Sequence, residues 1–96
     1  MDTHIVKVLK TSFITHNVKS FILERPQGYH FIPGQATDVA INTATLINEL
    51  RPFTIVSGVE DNILEFVTRI YKGHNGISEK MLETKPGDEW VVQEVF

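Results

Sequence analysis

Apolar residues recur at alternate positions in several short runs, and the runs are separated by residues that turn the chain. This is a pattern of strands more than of helices. In residues 4–10, Val6 and Val8 share one side while Ile5 and Leu9 share the other, so the run is apolar enough to be covered on both faces. Residues 18–25 form a second run, ended by Pro26-Gln27-Gly28, which reverses the chain. Pro33-Gly34 then introduces residues 35–42, where Thr37, Val39 and Ile41 oppose Ala36, Asp38 and Ala40. Residues 51–57 are strand-like, yet Pro52 has no amide hydrogen to give to a ladder, which predicts a sheet edge or a disrupted position. Residues 63–71 alternate most clearly, with Leu64, Phe66, Thr68 and Ile70 on one face and Glu65 and Arg69 on the other. Residues 90–96 supply a sixth run.

One stretch reads as helix. In residues 77–84, Ile77, Met81 and Leu82 form an apolar stripe, Asn75 or Ser78 can cap the start, and Pro86-Gly87-Asp88 stops it. Ala44, Leu46 and Ile47 permit a helical turn in residues 43–50, but the segment is too brief for periodicity to decide, and it reads as a connection. Six strands with one short helix before the last predict an all-β fold, a six-stranded antiparallel barrel with a capping helix. Closure would remove the edges that short strands otherwise expose. Pattern alone does not give the strand order.

Composition narrows the picture. The 96 residues have room for one domain with a single core. A 42% hydrophobic content and a balanced 22% charged content are those of a folded chain and not of a disordered tail. Nine Lys and Arg against twelve Asp and Glu leave a net charge of −3, with no overall basic field to hold nucleic acid. The absence of Cys removes disulfides, thiolate nucleophiles and iron–sulfur ligation from this segment. No apolar run approaches a membrane span and no signal pattern opens the chain, so no membrane insertion and a cytoplasmic location are expected.

Two segments carry candidate chemistry. Arg51 keeps its charge at physiological pH and can present two donors to a phosphate, although taken alone a surface salt bridge is its plainer explanation. Phe53, two residues on, can face a flat heterocycle or the core. Thr54 offers a hydroxyl, although threonine is also an ordinary strand residue. Gly73-His74-Asn75-Gly76-Ile77-Ser78 leads into the helix, where free amide hydrogens suit an anion, or simply a capped helix start. His4, His16, His30 and His74 lack the spacing of a zinc site, and Ser57 lies in no nucleophile elbow.

Taken together these segments resemble the ferredoxin–NADP reductase superfamily. Arg51-Pro52-Phe53-Thr54 is similar to its Arg-x-Tyr-Ser type motif, and Gly76-Ile77-Ser78 is similar to its pyrophosphate-binding turn. Lys85-Pro86-Gly87-Asp88 and Pro33-Gly34-Gln35 match turns in the same order along the chain. The resemblance covers residues 1–96 as a flavin-binding Greek-key barrel, and it implies a nicotinamide-binding domain after residue 96. It implies FAD as cofactor, Arg51 on the flavin phosphate, Phe53 on the isoalloxazine, and Thr54 as the catalytic hydroxyl near N5. Ile70, Tyr71 and Lys72 would pass along the flavin nucleotide, and Gly76, Ile77 and Ser78 would hold the pyrophosphate. NAD(P)H would bind the other domain, and electrons would pass to a protein such as ferredoxin or flavodoxin. Two departures stand out: Phe53 lacks the hydroxyl of the usual Tyr, and Thr54 replaces Ser. The rival readings are a noncatalytic ligand- or protein-binding barrel and, against the acidic balance, an OB-type barrel for single-stranded nucleic acid.

Overall fold

The alternating runs pair into one antiparallel sheet. The computed structural model describes residues 3–70, 80–81 and 83–95. It contains β1 (Thr3–Thr15), β2 (Val18–Glu24), β3 (Ala36–Ile41), β4 (Arg51–Thr54), β5 (Ile63–Arg69) and β6 (Glu89–Gln93). Their order across the sheet is β4-β3-β6-β1-β2-β5, and every neighbouring pair is antiparallel. The connections from β2 to β3 and from β5 to β6 therefore skip strands. Among the described residues, no helix is long and apolar enough to cross a membrane.

Period-two alternation selects the core. Val6, Val8, Phe21, Leu23, Val39, Ile41, Leu64, Phe66, Trp90 and Val92 point to one side and are buried together. Burying each large apolar side chain in such a cluster contributes roughly 1.5–3 kcal/mol. The outer face of β1 differs from expectation: Ile5 is 60% and Leu9 47% exposed, so the strand is covered on one face only. Among the described residues no second layer lies over that side. β1 also runs five residues past the expected end at residue 10. Thr11, Ser12 and Phe13 pair with Phe21, Ser20 and Lys19, and register shifts occur between Val8 and Lys10 and between Phe13 and Thr15. Those irregularities break the alternation by which a strand is recognised.

The turns behave as their residues dictate. Gly34 and Gly87 have φ of 85° and 96°, conformations that side-chain-bearing residues rarely adopt. Each follows a proline and closes a four-residue turn, Gln35 N–H donating to Ile32 O (3.1 Å) and Asp88 N–H to Lys85 O (3.1 Å). The last side chain of each turn also accepts a bond from the first amide: Ile32 N–H to Gln35 Oε1 at 2.8 Å and Lys85 N–H to Asp88 Oδ2 at 3.0 Å. The second turn is fastened to β1 by Val8 N–H to Asp88 O and Gly87 N–H to Val8 O, both 2.8 Å. Residues 43–50 form turns, closed by Ile47 N–H to Thr43 O (2.9 Å) and Glu49 N–H to Leu46 O (2.9 Å).

The helix over residues 77–84 lies largely outside the described residues. Lys80 and Met81 are helical, Glu83 and Thr84 donate to their carbonyls, and Met81 is buried as the stripe requires. The barrel is not closed. β4 ends at Thr54 and not at Ser57, and beyond it the chain meets β5 through one bridge, Ile55 with Phe66, and one bond, Val56 N–H to Glu65 O (2.9 Å). The Ser57 hydroxyl, not a backbone carbonyl, accepts from Glu65 N–H at 3.1 Å, so the ladder stops there. Pro52 does lie on an edge strand, as its missing amide demands.

Candidate functional site

The open seam between β4 and β5 gathers the candidate residues of the first segment. β4 pairs only with β3, Val39 opposite Arg51, Thr37 opposite Phe53 and Ala36 opposite Thr54, while β5 pairs only with β2. Apart from the bridge at Ile55 and Phe66 and the bonds of Val56 and Ser57 to Glu65, no pairing joins β4 to β5 among the described residues.

Arg51 is exposed at the head of β4. Its Nη1 donates to Leu50 O at 2.8 Å, and its Nη2 lies 3.7 Å from Glu49 Oε2. Both contacts are with residues one and two places away, so nothing described ties the guanidinium to the rest of the fold. An exposed pair at that distance contributes little to stability. Phe53 is half-buried, its ring 6.2 Å from Phe66 and 6.3 Å from Trp90 by centroid. It therefore belongs partly to the core while sitting on the edge strand. Thr54 is exposed, and its hydroxyl has no hydrogen-bond partner among the described residues. Strand alternation puts Arg51 and Phe53 on one side of β4 and Thr54 on the other.

Ile70, just past β5, is buried and donates its N–H to Asn17 O at 2.8 Å. Tyr71, Lys72, Gly76, Ile77 and Ser78 lie outside the described residues. Among the described residues, no group of three His, Cys, Asp or Glu side chains could hold a metal ion. Two hollows lie elsewhere on the surface, one of about 360 Å³ beside Arg25, Tyr29 and His30 and one of about 320 Å³ beside Thr43, Lys80 and Lys85. Neither is lined by Arg51, Phe53 or Thr54.

Three polar arrangements around the core escaped sequence reading. Arg25 donates to the carbonyls of Tyr29, Val59 and Asp61 at 2.6–3.1 Å, with its guanidinium carbon 4.7 Å from the Phe31 ring centroid, and so clamps two loops together. Tyr29 and Thr37 both donate their hydroxyls to the carbonyl of Gln93, which fixes the end of β6. Lys19 is buried and donates to the carbonyls of Met81 and Thr84. A lysine between Val18 and Phe21 was the available signal for the last, but its partners lie more than sixty residues away.

The sequence matches the family model described as an FAD-binding domain over residues 3–93. No curated protein matches it by sequence. Among solved structures, the fold is similar to a ferredoxin NADP+ reductase from Neisseria gonorrhoeae with bound FAD and NADP. That likeness has a TM-score of 0.85 and 20% identity, over 97% of this chain and 37% of that one. It is similar to the ferredoxin reductase in carbazole 1,9a-dioxygenase, at a TM-score of 0.82 and 18% identity, over 99% of this chain and 29% of that one. The cytochrome b5 reductase domain of Ulva prolifera nitrate reductase aligns at 0.76 and 19% identity, over 99% and 40%. At these identities the likeness is one of fold, and the chain spans less than half the length of each structure.

Proposed function

The chain belongs to the FAD-binding domain family, and on that basis we propose that it is the flavin-holding part of a reductase that moves electrons between NAD(P)H and a ferredoxin- or flavodoxin-type protein. The observation that carries the reading is the seam: among the described residues the sheet stays open where the Arg51-Pro52-Phe53-Thr54 strand has an unpaired edge.

The chemistry of that edge fits a flavin nucleotide. Among the described residues the Arg51 guanidinium is engaged only by its own neighbours, so it can turn two donors toward a phosphate without loosening the fold. Phe53 presents an aromatic ring held from behind by Phe66 and Trp90, a rigid platform for a flat heterocycle. Thr54 brings an exposed hydroxyl that can donate to a ring nitrogen. Because β4 is an edge strand, a group lying along that edge is within reach of residues from both of its sides. Ile70 lies just past β5 and Tyr71 and Lys72 follow it in the chain; with Gly76, Ile77 and Ser78, whose amides and hydroxyl suit a second phosphate, they are the residues assigned to the rest of the nucleotide, which favours FAD over FMN.

When bound, the flavin accepts a hydride and releases electrons one at a time, chemistry that belongs to the cofactor and not to any side chain. The tasks of the chain are to bind, orient and exclude. Arg51 neutralises phosphate charge, Phe53 fixes the plane of the ring, and the Thr54 hydroxyl holds a proton toward the reacting edge. NAD(P)H is assigned to the part of such a protein that these residues do not represent, in keeping with their covering 37% of the ferredoxin NADP+ reductase.

Incubating the purified chain with FAD and removing free cofactor tests the reading. Retained yellow colour with quenched flavin fluorescence is expected. A folded chain that leaves FAD fluorescence unchanged would contradict it.

A further inference from the structure

Ile32, Val56 and Val59 are 65%, 52% and 42% exposed, three large apolar side chains turned to solvent on two loops that the fold holds together. Residues 25–35 join β2 to β3, and residues 55–62 join β4 to β5. Ile55 N–H donates to Gln35 O at 2.9 Å and Gln35 N–H to Ile32 O at 3.1 Å, so the Ile32 turn is fastened beside the residue that follows Thr54. Arg25 makes the second fastening, donating to Tyr29 O in one loop and to Val59 O and Asp61 O in the other. Asp61 Oδ2 accepts from Gly58 N–H at 2.7 Å and shapes the turn that carries Val59. Apolar side chains on loops held this firmly need little further ordering to receive a partner. The charges are one-sided. The only Lys, Arg, Asp and Glu of the two loops are Arg25, Glu60 and Asp61. Arg25 is turned onto the three carbonyls and the Phe31 ring, whereas Glu60 and Asp61 are exposed.

We propose that these two loops are the docking surface for the electron-accepting protein, and that the acceptor meets them with an apolar face rimmed by lysine or arginine. The inference rests on the flavin reading above for what the partner does. Thr54, assigned there to the reacting edge of the ring, is separated from Val56 by Ile55 alone. A protein seated on Ile32, Val56 and Val59 therefore lies beside the group that releases electrons, while Arg51 and its phosphate are at the other end of β4. Charge chooses among acceptors. A basic rim is drawn and oriented by Glu60 and Asp61, and an acidic one is repelled. The apolar centre supplies contact area, as at the middle of other transient interfaces. The ferredoxin- or flavodoxin-type acceptor is thereby narrowed to one with a basic docking face.

Cytochrome c, a basic protein that takes one electron, serves as the probe. Its ferric form is titrated into the isotopically labelled chain without flavin, and amide shifts are followed by NMR. Shifts are expected at Ile32, Val56, Val59 and Glu60, with an affinity that falls as salt is raised. Glu60→Lys should weaken binding about fivefold at low salt and less than about twofold at high salt, because screening removes the charge contribution. Val59→Ser should weaken it about fivefold at both, the scale of a partly exposed valine that loses its contact. Both side chains are exposed, so neither change threatens folding. A second measurement uses the chain loaded with FAD and reduced by light with EDTA as electron donor. Each reduced flavin then turns two ferric cytochromes ferrous and gives its protons to water. The variants should slow that transfer in proportion to their lost binding, while reduction of ferricyanide, which needs no docking face, stays as in wild type. Absence of binding, shifts confined to other residues, or equal transfer rates in all three chains overturn the inference. So do shifts at Ile32 and Val59 that grow with the concentration of the chain alone, since the occupant is then a second copy. A wild-type chain that retains no FAD overturns the flavin reading instead, and the shift map still decides whether a basic protein seats on these loops.

Discussion

The ring of Phe53 lies 6.3 Å from that of Trp90 by centroid, the two planes inclined at 47°, so the middle of the candidate flavin strand rests on the bulkiest side chain of the core. Stability and binding are therefore coupled at residue 53. Phe53→Ala should cost about 2 kcal/mol of stability, less than the roughly 3–5 kcal/mol of a fully buried Phe because the ring is only half-buried, and should weaken FAD as well. Phe53→Tyr, which restores the hydroxyl of the related motif, should stay within about 0.5 kcal/mol of wild type in urea unfolding.

Arg51 offers a cleaner separation. Among the described residues its polar contacts are with Leu50 and Glu49 alone, so Arg51→Ala should change stability in urea little, by less than about 0.5 kcal/mol. FAD affinity should fall at least tenfold through loss of a charge-assisted phosphate contact, on the order of 1.5–3 kcal/mol. Equal affinity in the variant would remove Arg51 from the site.

Trp90 is fully buried, and its indole N–H has no hydrogen-bond partner among the described residues. Leaving a buried donor unsatisfied costs roughly 1–3 kcal/mol, which offsets part of what the large ring contributes. Trp90→Phe should therefore destabilise by less than about 1.5 kcal/mol, whereas Phe21→Ala, which removes a ring 4.8 Å from Trp90 by centroid, should cost about 3–5 kcal/mol. Chemical denaturation of the two variants checks the contrast.

Tyr29 predicts an alkaline limb. Burial holds its hydroxyl above the usual tyrosine value; the bond with Thr37 opposes this, and the nearby charge of Glu94 adds to it. The unfolded chain loses that proton near pH 10 while the folded chain keeps it, so the contribution is complete below about pH 10 and is lost as pH rises through the raised value. Lys19 works in the opposite sense, since its lowered value makes the folded chain the poorer proton binder. Tyr29→Phe should melt lower than wild type at pH 8, through loss of the bond to Gln93 O, and the gap should narrow above about pH 10. A gap that stays constant with pH would rule out Tyr29 as the titrating group.

Gly87 has space around it for a methyl group, yet its φ of 96° disfavours any side chain. Gly87→Ala should cost about 1 kcal/mol from backbone conformation alone. Gly58→Ala makes the comparison, since an added carbon there meets Asp61 Oδ2 at 3.3 Å with no unusual φ. Thermal melts of the pair would separate backbone strain from crowding.

The sequence by itself determined which residues share a face: Thr37, Val39 and Ile41 turn inward together, as do Leu64, Phe66 and Ile70, because a strand repeats every two residues. It determined that Pro52 belongs on an edge and that Pro33-Gly34 and Pro86-Gly87 make turns, since these are properties of single residues and their backbones. The Arg51-Pro52-Phe53-Thr54 motif was legible for the same reason, as chemistry carried by neighbours. Only the tertiary structure decided that β4 does not pair with β5 and that the chain reaches β5 just beyond it, at Ile55 and Val56, that the outer face of Ile5 and Leu9 is exposed, and that Lys19 reaches Met81 and Thr84. Each of these depends on which distant segments come to lie side by side. A period of two fixes the face of a strand but carries no record of its neighbour.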